Sequence, residues 1–223
     1  MKKMILFVSA VLLLSANAAM ADSIAGKVGI TGRFGASYVG DSKWTVGGSG
    51  LSEDIKADLG YSGGGGVMYG ITDNLAVNFD VNYLQADLNA NGQESGASLS
   101  VLFGRAKTVD FALGAQWRFI PKSQFVPYVE GGLDVLWNNI DVDPAYGGGM
   151  GGVPNLSVAT TYGVHLSVGG DFFFNRHVAL NAEIRGLLST QGDVKSNSFN
   201  NTVFAKYDPS NISAFLGMKF FFP

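Results

Sequence analysis

The chain has 223 residues, no cysteine, a net charge of −3 and 47% hydrophobic side chains. So small a charge gives no footing on nucleic acid, and without cysteine an exported chain cannot be held together by disulfides. Thirty-one glycines argue against long helices, and past the N-terminus no apolar run reaches the roughly 20 residues of a spanning helix.

The N-terminus reads as an export signal. Lys2 and Lys3 precede the apolar run Met4 to Leu14, and Ala19-Met20-Ala21 supplies the small-x-small pattern of a cleavage site. A signal peptide over 1–21 and a mature domain over 22–223, exported through the general secretion route, are expected.

The mature chain then alternates in twos. Ile24, Val28, Ile30, Phe34, Ala36 and Tyr38 share one face, against Lys27, Thr31, Arg33 and Ser37. The second segment sets Ile55, Ala57, Leu59, Tyr61, Val67 and Tyr69 against Lys56, Asp58 and Ser62. Leu75 to Tyr83 opposes Asn78, Asp80 and Asn82, and Val109 to Phe119 opposes Asp110, Gln116 and Arg118. Phe125 to Trp137 faces away from Tyr128, Glu130 and Asp134. Val158 to Phe172 carries Thr161, His165, Ser167 and Asp171 on its polar face. Val178 to Leu188 carries Asn181, Glu183 and Arg185, and Ile212 to Phe222 carries Ser213, Gly217 and Lys219. Successive side chains on a strand point to opposite faces, so each segment has one apolar and one polar face.

A soluble sandwich alternates too, but three details favour the membrane. The segments exceed the usual strand of about 5–6 residues and reach the 9–11 that cross a bilayer at a tilt. Aromatics gather near segment ends, where a girdle of Tyr38, Tyr83, Trp117, Phe119, Phe125, Trp137, Phe172 and Phe222 is expected. Full charges at mid-segment would not be tolerated unpaired in a dry sandwich core.

Connections alternate in length. Short turns lie at 70–74, 120–124 and 174–177, and longer polar stretches at about 40–54, 88–107, 138–156 and 189–211. Short turns on the periplasmic side and long loops outside mark an outer-membrane barrel. The expected fold is all-β, an eight-stranded antiparallel up-and-down transmembrane barrel in the outer membrane of a Gram-negative bacterium. The long stretches, including Gly147 to Gly152, read as solvated flexible tips.

Several motifs resemble one family. Ile71-Thr72-Asp73-Asn74-Leu75-Ala76-Val77, Ala115-Gln116-Trp117-Arg118-Phe119, Pro127-Tyr128-Val129-Glu130-Gly131-Gly132-Leu133 and Asp208-Pro209 are similar to the outer membrane protein W family. Val168-Gly169-Gly170-Asp171-Phe172, followed by Asn175-Arg176, resembles that family's sixth strand and turn. The resemblance implies an eight-stranded barrel passing small hydrophobic compounds through a narrow lumen, with lateral exit into the membrane. The chain departs from the usual terminal aromatic in that Pro223 follows Phe222, although the alternation through Phe220 and Phe222 is kept.

The candidate lumen lining is Lys27, Arg33, Lys56, Asp58, Asp80, Asp110, Arg118, Glu130, Asp134, His165, Asp171, Glu183, Arg185 and Lys219. Charges at this density must pair or stay hydrated. They read either as a salt-bridged plug or as a gated polar path. A narrow passive conduit for small hydrophobic molecules and a non-conducting barrel displaying loops for adhesion are the two expected functions. No catalytic site is expected, because alternation turns His165 and Ser167 inward, away from lipid. Asp141 and Asp143 have a cation-loop spacing that Ala145 breaks, so neither metal nor cofactor is expected. Expected partners are outer-membrane lipid and lipopolysaccharide, periplasmic chaperones and the barrel-assembly machinery, and small hydrophobic solutes.

Overall fold

A computed structural model describes residues 23–40, 42–45, 52–94, 97–143, 156–196 and 203–222. The expected signal over 1–21 and the glycine run 147–152 lie outside the described residues.

Among the described residues thirteen antiparallel strands are formed: β1 (Val28–Val39), β2 (Ser42–Thr45), β3 (Ser52–Ala57), β4 (Leu59–Gly70), β5 (Leu75–Glu94), β6 (Ala97–Arg118), β7 (Phe125–Val142), β8 (Leu156–Val158), β9 (Thr161–Phe173), β10 (Val178–Ser189), β11 (Gly192–Ser196), β12 (Val203–Tyr207) and β13 (Asn211–Phe222). Eight of them close a barrel in the order β1-β4-β5-β6-β7-β9-β10-β13 and back to β1. The closing ladder runs from Val28↔Phe222 to Val39↔Asn211. Closure satisfies every edge, which a sheet surrounded by lipid requires.

The short turns are built from local side-chain bonds. Thr72 Oγ1 accepts from the backbone N–H groups of Asn74 and Leu75. Asn175 Oδ1 accepts from those of His177 and Val178. These residues offer the backbone a turn in place of a ladder.

The barrel's outer surface is apolar. Phe34, Leu133 and Leu166 are about two-thirds exposed. All eight aromatics of the expected girdle point outward. Trp117, Phe119, Phe125, Phe172 and Phe222 stand at the end that carries the short turns, where Phe125 lies opposite Phe172 and Val28 opposite Phe222. Tyr38, Tyr83 and Trp137 stand at the other end; Trp137 packs edge-on against Phe111, with centroids 4.8 Å apart. Ile212 to Phe222 makes roughly ten rises of about 3.4 Å, which at a tilt of about 40° lifts about 25 Å. That height matches a hydrocarbon core.

Above this belt the strands continue and their polarity inverts. On β5 the inward side runs Asn78, Asp80, Asn82 and then Leu84, Ala86, Leu88. Its outward side runs Val77, Phe79, Val81, Tyr83 and then Gln85, Asp87, Asn89. On β7, Asp134 gives way inward to Leu136, Ile140 and Val142, and Trp137 gives way outward to Asn139 and Asp141. Lipid surrounds the lower part and water the upper, so the apolar face changes sides. The result is a collar with an apolar interior, into which β2, β3, β8, β11 and β12 are added.

The collar corrects the reading of the long connections. The stretch 88–107 is largely a continuation of β5 and β6, 138–142 belongs to β7, and β2, β11 and β12 fall inside the other two. Inverted alternation resembles a polar loop when set against a lipid-facing strand, because its outward side chains are the polar ones.

The second segment is also divided. From Ala57 to Tyr61 is four residues, whereas their partners on β5, Leu88 to Gln85, are three apart. The extra residue at Asp58 switches the phase: Ala57 is buried in the collar and Leu59 is exposed. A bulge of this kind re-aims side chains.

Candidate functional site

The barrel interior is stacked in three layers. At the end that carries the short turns Ile24, Met68, Ala76, Val126, Phe173, Ala179 and Phe221 form an apolar floor. Ile24 reaches it because the N-terminal segment turns back at Gly26, whose φ of 76° is in the left-handed region. Gly26 N–H then donates to the Gly70 carbonyl at 2.8 Å. Ser23 donates to Asp73 beside it, and that hydrogen bond holds the Asp73 carboxyl below its ordinary range.

The middle layer is ionic. Six carboxylates (Asp80, Asp110, Glu130, Asp134, Asp171 and Glu183) and four fixed cations (Arg33, Arg118, Arg185 and Lys219) are buried here with His165. Arg33 bonds Glu183 at 3.1 Å and Asn82 at 3.0 Å, with Asp80 at 3.4 Å. Arg185 donates to Asp110 at 2.9 Å and also contacts Asp134. Asp171 accepts from Arg118 at 2.9 Å and lies 3.0 Å from Lys219. Lys219 also stands over the Tyr128 ring, 4.4 Å from its centroid. Two alternating signs, each with partners, are what burial of charge demands.

His165 sits between two carboxylates, with Nδ1 2.8 Å from Asp134 and Nε2 3.5 Å from Glu130. Its ring lies against bare backbone: a Cβ at Gly132 would stand 2.6 Å from His165 Cε1. Both ring nitrogens face carboxylates and the Ser167 hydroxyl bonds neither of them. The arrangement has the form of a structural bridge rather than of a nucleophile with its base.

The ionic layer is packed tight. Its cavities among the described residues include one of about 20 Å³ beside Asn82, Asp110 and Arg185 and one of about 10 Å³ beside Arg33, Asp80 and Glu130. A single water needs about 10–15 Å³. An eight-stranded barrel has room for little beyond its own side chains.

The top layer is the collar interior: Val39, Leu84, Leu88, Phe103, Ile140, Val142, Leu156, Val194 and Tyr207, with smaller residues between them. Burial there pushes the Tyr207 phenol up to about 12. Outside, water-exposed pairs tie the collar strands: Asp87 with Arg105 at 3.0 Å and Asp141 with Lys107 at 2.5 Å. The Lys107 bond holds the Asp141 carboxyl below its usual range. Asp141, weighed above as a cation ligand, is engaged by Lys107 and by Asn139 at 2.8 Å.

Of the residues expected to line the lumen, Arg33, Asp80, Asp110, Arg118, Glu130, Asp134, His165, Asp171, Glu183, Arg185 and Lys219 are placed together in the middle layer. Three are not. Asp58 is exposed at the bulge, where it accepts from Asn89 at 2.8 Å. Lys27 is half-exposed at the short-turn rim, ahead of β1. The Lys56 side chain lies outside the described residues. The neutral members that complete the network stand on the expected polar faces but outside the candidate lining: Asn78 donates to Glu130 at 2.6 Å, and Asn181 bridges Tyr128 at 2.9 Å and Asp171 at 2.8 Å. They stand on the same alternating face as the charges, which was the signal available. The collar interior was missed, and its signal was period-two alternation of reversed sign.

A sequence profile of the outer membrane protein beta-barrel domain matches residues 6–220. Among solved structures, OprG from Pseudomonas aeruginosa is 17% identical, with 89% of this chain and 96% of that one covered and a TM-score of 0.73. The outer membrane protein AlkL, solved in lipid bilayers, is 19% identical over 93% of this chain and 94% of its own, with a TM-score of 0.55. The outer membrane protein W of E. coli, whose family the sequence motifs resemble, is also among the similar chains; it is 19% identical over 89% and 98%, with a looser TM-score of 0.40. No curated protein matches the sequence. At these identities the likeness concerns the fold, that of small outer-membrane barrels.

Proposed function

Since this chain belongs to the outer membrane protein beta-barrel domain family, we propose that it is a narrow conduit for small hydrophobic molecules, which enter at the collar and leave sideways into the outer leaflet. The observation that carries this reading is the inversion of polarity between barrel and collar. A hydrophobic solute descending the axis would meet buried ion pairs, and pulling one partner away costs about 3–5 kcal/mol. The collar interior offers the same solute apolar contacts at every step. The apolar collar lining therefore extends down to the level of Trp137 and Tyr162, both exposed on the outer surface, and ends above the ionic layer.

A second reading has its own support. Cavities of about 20 and 10 Å³ suit a barrel that conducts nothing and displays its extracellular segments, as an adhesion or envelope-supporting protein would.

One experiment separates them. The folded barrel is reconstituted in liposomes, and entry of a small hydrophobic solute is measured beside entry of a hydrophilic one of similar size. Faster entry of the hydrophobic solute alone is expected. Entry of neither would overturn the conduit in favour of the display barrel, and entry of the hydrophilic solute would mean that the ionic layer opens.

A further inference from the structure

The cavity of about 20 Å³ lies where the ionic layer meets the collar. Its wall on the collar side is Leu84, Leu136 and Leu187. Each stands one inward position beyond a polar member of the ionic layer on its own strand: Asn82, Asp134 and Arg185.

Most polar side chains lining the cavity are engaged elsewhere. Asn82 accepts from Arg33 at 3.0 Å and donates to Asp110 at 3.1 Å. Thr108 donates to Asn138 at 2.9 Å, and Arg185 donates to Asp110 at 2.9 Å. Ser213 Oγ lies 2.5 Å from Ser37 Oγ and donates to Asn211 at 2.8 Å. Two lining groups are left over. Ser62 Oγ and Asp110 Oδ1 have no hydrogen-bond partner among the described residues. Their residues are only 5% and 7% exposed, so bulk water does not meet them. Asp110 spends Oδ2 on both Asn82 and Arg185 and keeps Oδ1 open. Unmet buried acceptors are costly, and a donor placed in the cavity would remove that cost.

The charge balance narrows the donor. Among the described residues six carboxylates of this layer face four fixed cations and His165, an excess of one negative charge even with His165 charged. An anionic head is opposed there, and a neutral or cationic one is accepted.

We propose that this cavity is a head-group subsite for the conduit's solute: it takes the O–H or N–H head of an alkanol or primary alkylamine, with the alkyl tail among Leu84, Leu136 and Leu187. This deepens the conduit reading by naming its solute class, and it rests on that reading for its purpose. The head donates to Asp110 Oδ1, and a hydroxyl head also accepts from Ser62. A space of about 20 Å³ admits a group the size of a water and little more. The tail therefore stays on the leucine side, and the ion pairs beneath are not disturbed.

The test uses the full mature barrel in lipid nanodiscs with isotope-labelled leucine methyls, folding being checked by heat-modifiable electrophoretic mobility. Octanol and octylamine are expected to shift the Leu84, Leu136 and Leu187 methyl resonances saturably. Octane and octyl methyl ether have no donor, and octanoate carries the wrong charge; each is expected to bind at least about tenfold more weakly. Ser62→Ala should weaken octanol about threefold to tenfold. Asp110→Asn should weaken octylamine more than octanol, because it removes the charge from the acceptor. That variant also loosens Arg185; if it does not fold, Ser62→Ala decides alone. Binding by only one of the two heads supports the subsite and assigns it a neutral or a cationic ligand. Ether and alcohol binding alike, or octanol affinity unchanged in Ser62→Ala, would overturn it and leave the cavity to a buried water. Entry of hydrophobic solutes into liposomes without head-group preference in binding sinks the subsite and spares the conduit. Octanol binding with no entry of any solute does the reverse.

Discussion

Tyr128 and Glu183 stand on strands that are not neighbours, yet the Tyr128 hydroxyl donates to Glu183 at 2.7 Å. Gly169 lies between them in register, opposite Tyr128 on one side and Glu183 on the other. A Cβ at Gly169 would stand 2.5 Å from the Tyr128 oxygen. The glycine is the floor across which the ring lies, and the ionic layer closes over β9 because β9 has no side chain there.

Gly169→Ala should therefore destabilise the barrel through lost reach rather than lost contact. The ring must lift, the bond to Glu183 breaks, and overpacking adds about 1–3 kcal/mol. Urea unfolding in vesicles measures this. A variant as stable as the parent would mean that Tyr128 has another resting place, and Tyr128→Phe in the Gly169→Ala background should then recover nothing.

Asp171 holds two cations, Arg118 and Lys219. Asp171→Asn leaves both buried without their counter-charge, a loss of about 3–5 kcal/mol. Asp87→Asn removes one partner of an exposed pair, and about 0–1 kcal/mol is expected there. Equal effects from the two substitutions would contradict the depth assigned to the ionic layer.

The boundary between lipid and water on β7 falls between Trp137 and Asn139. Leu133→Arg puts a cation at mid-belt and should cost about 2–4 kcal/mol, whereas Asn139→Arg, six residues on and facing the same way, should cost about 0–1. A large penalty at Asn139 would place the collar inside the bilayer.

Tyr207 makes the collar sensitive to alkali. Burial raises its pKa to about 12 in the folded state, against about 10 when unfolded. The proton is held more tightly by the folded protein, so the stabilisation is complete below about pH 10 and is lost as pH rises toward 12. A shift of this size amounts to about 3 kcal/mol. Hydrogen exchange of collar amides should accelerate across that window in the parent and show a smaller change in Tyr207→Phe. Phenolate absorbance supplies the companion titration.

Much of this was legible in the chain. Period-two alternation from Val28 to Phe222 dictated the eight barrel spans and which charges face inward within them, because a strand has only two faces and lipid accepts only one kind. Arg33, Asp80, Glu130 and Arg185 were placed by that rule alone. The rule failed at Asp58, where one extra residue turned the following strand over, and in the collar, where water replaced lipid and the same period carried the opposite polarity. The two failures have different causes: an extra residue shifts the phase without changing the period, and alternation reports a difference between faces without saying which medium each face meets.

By itself, then, the sequence determined an alternating chain of eight spans with short turns on one side, since those follow from side-chain spacing and local turn chemistry. Only the tertiary structure decided which charge meets which partner, that Gly169 lies under Tyr128, and that the strands rise past the belt into a collar of inverted polarity. Those depend on register between strands, and register is set by closure of the whole barrel.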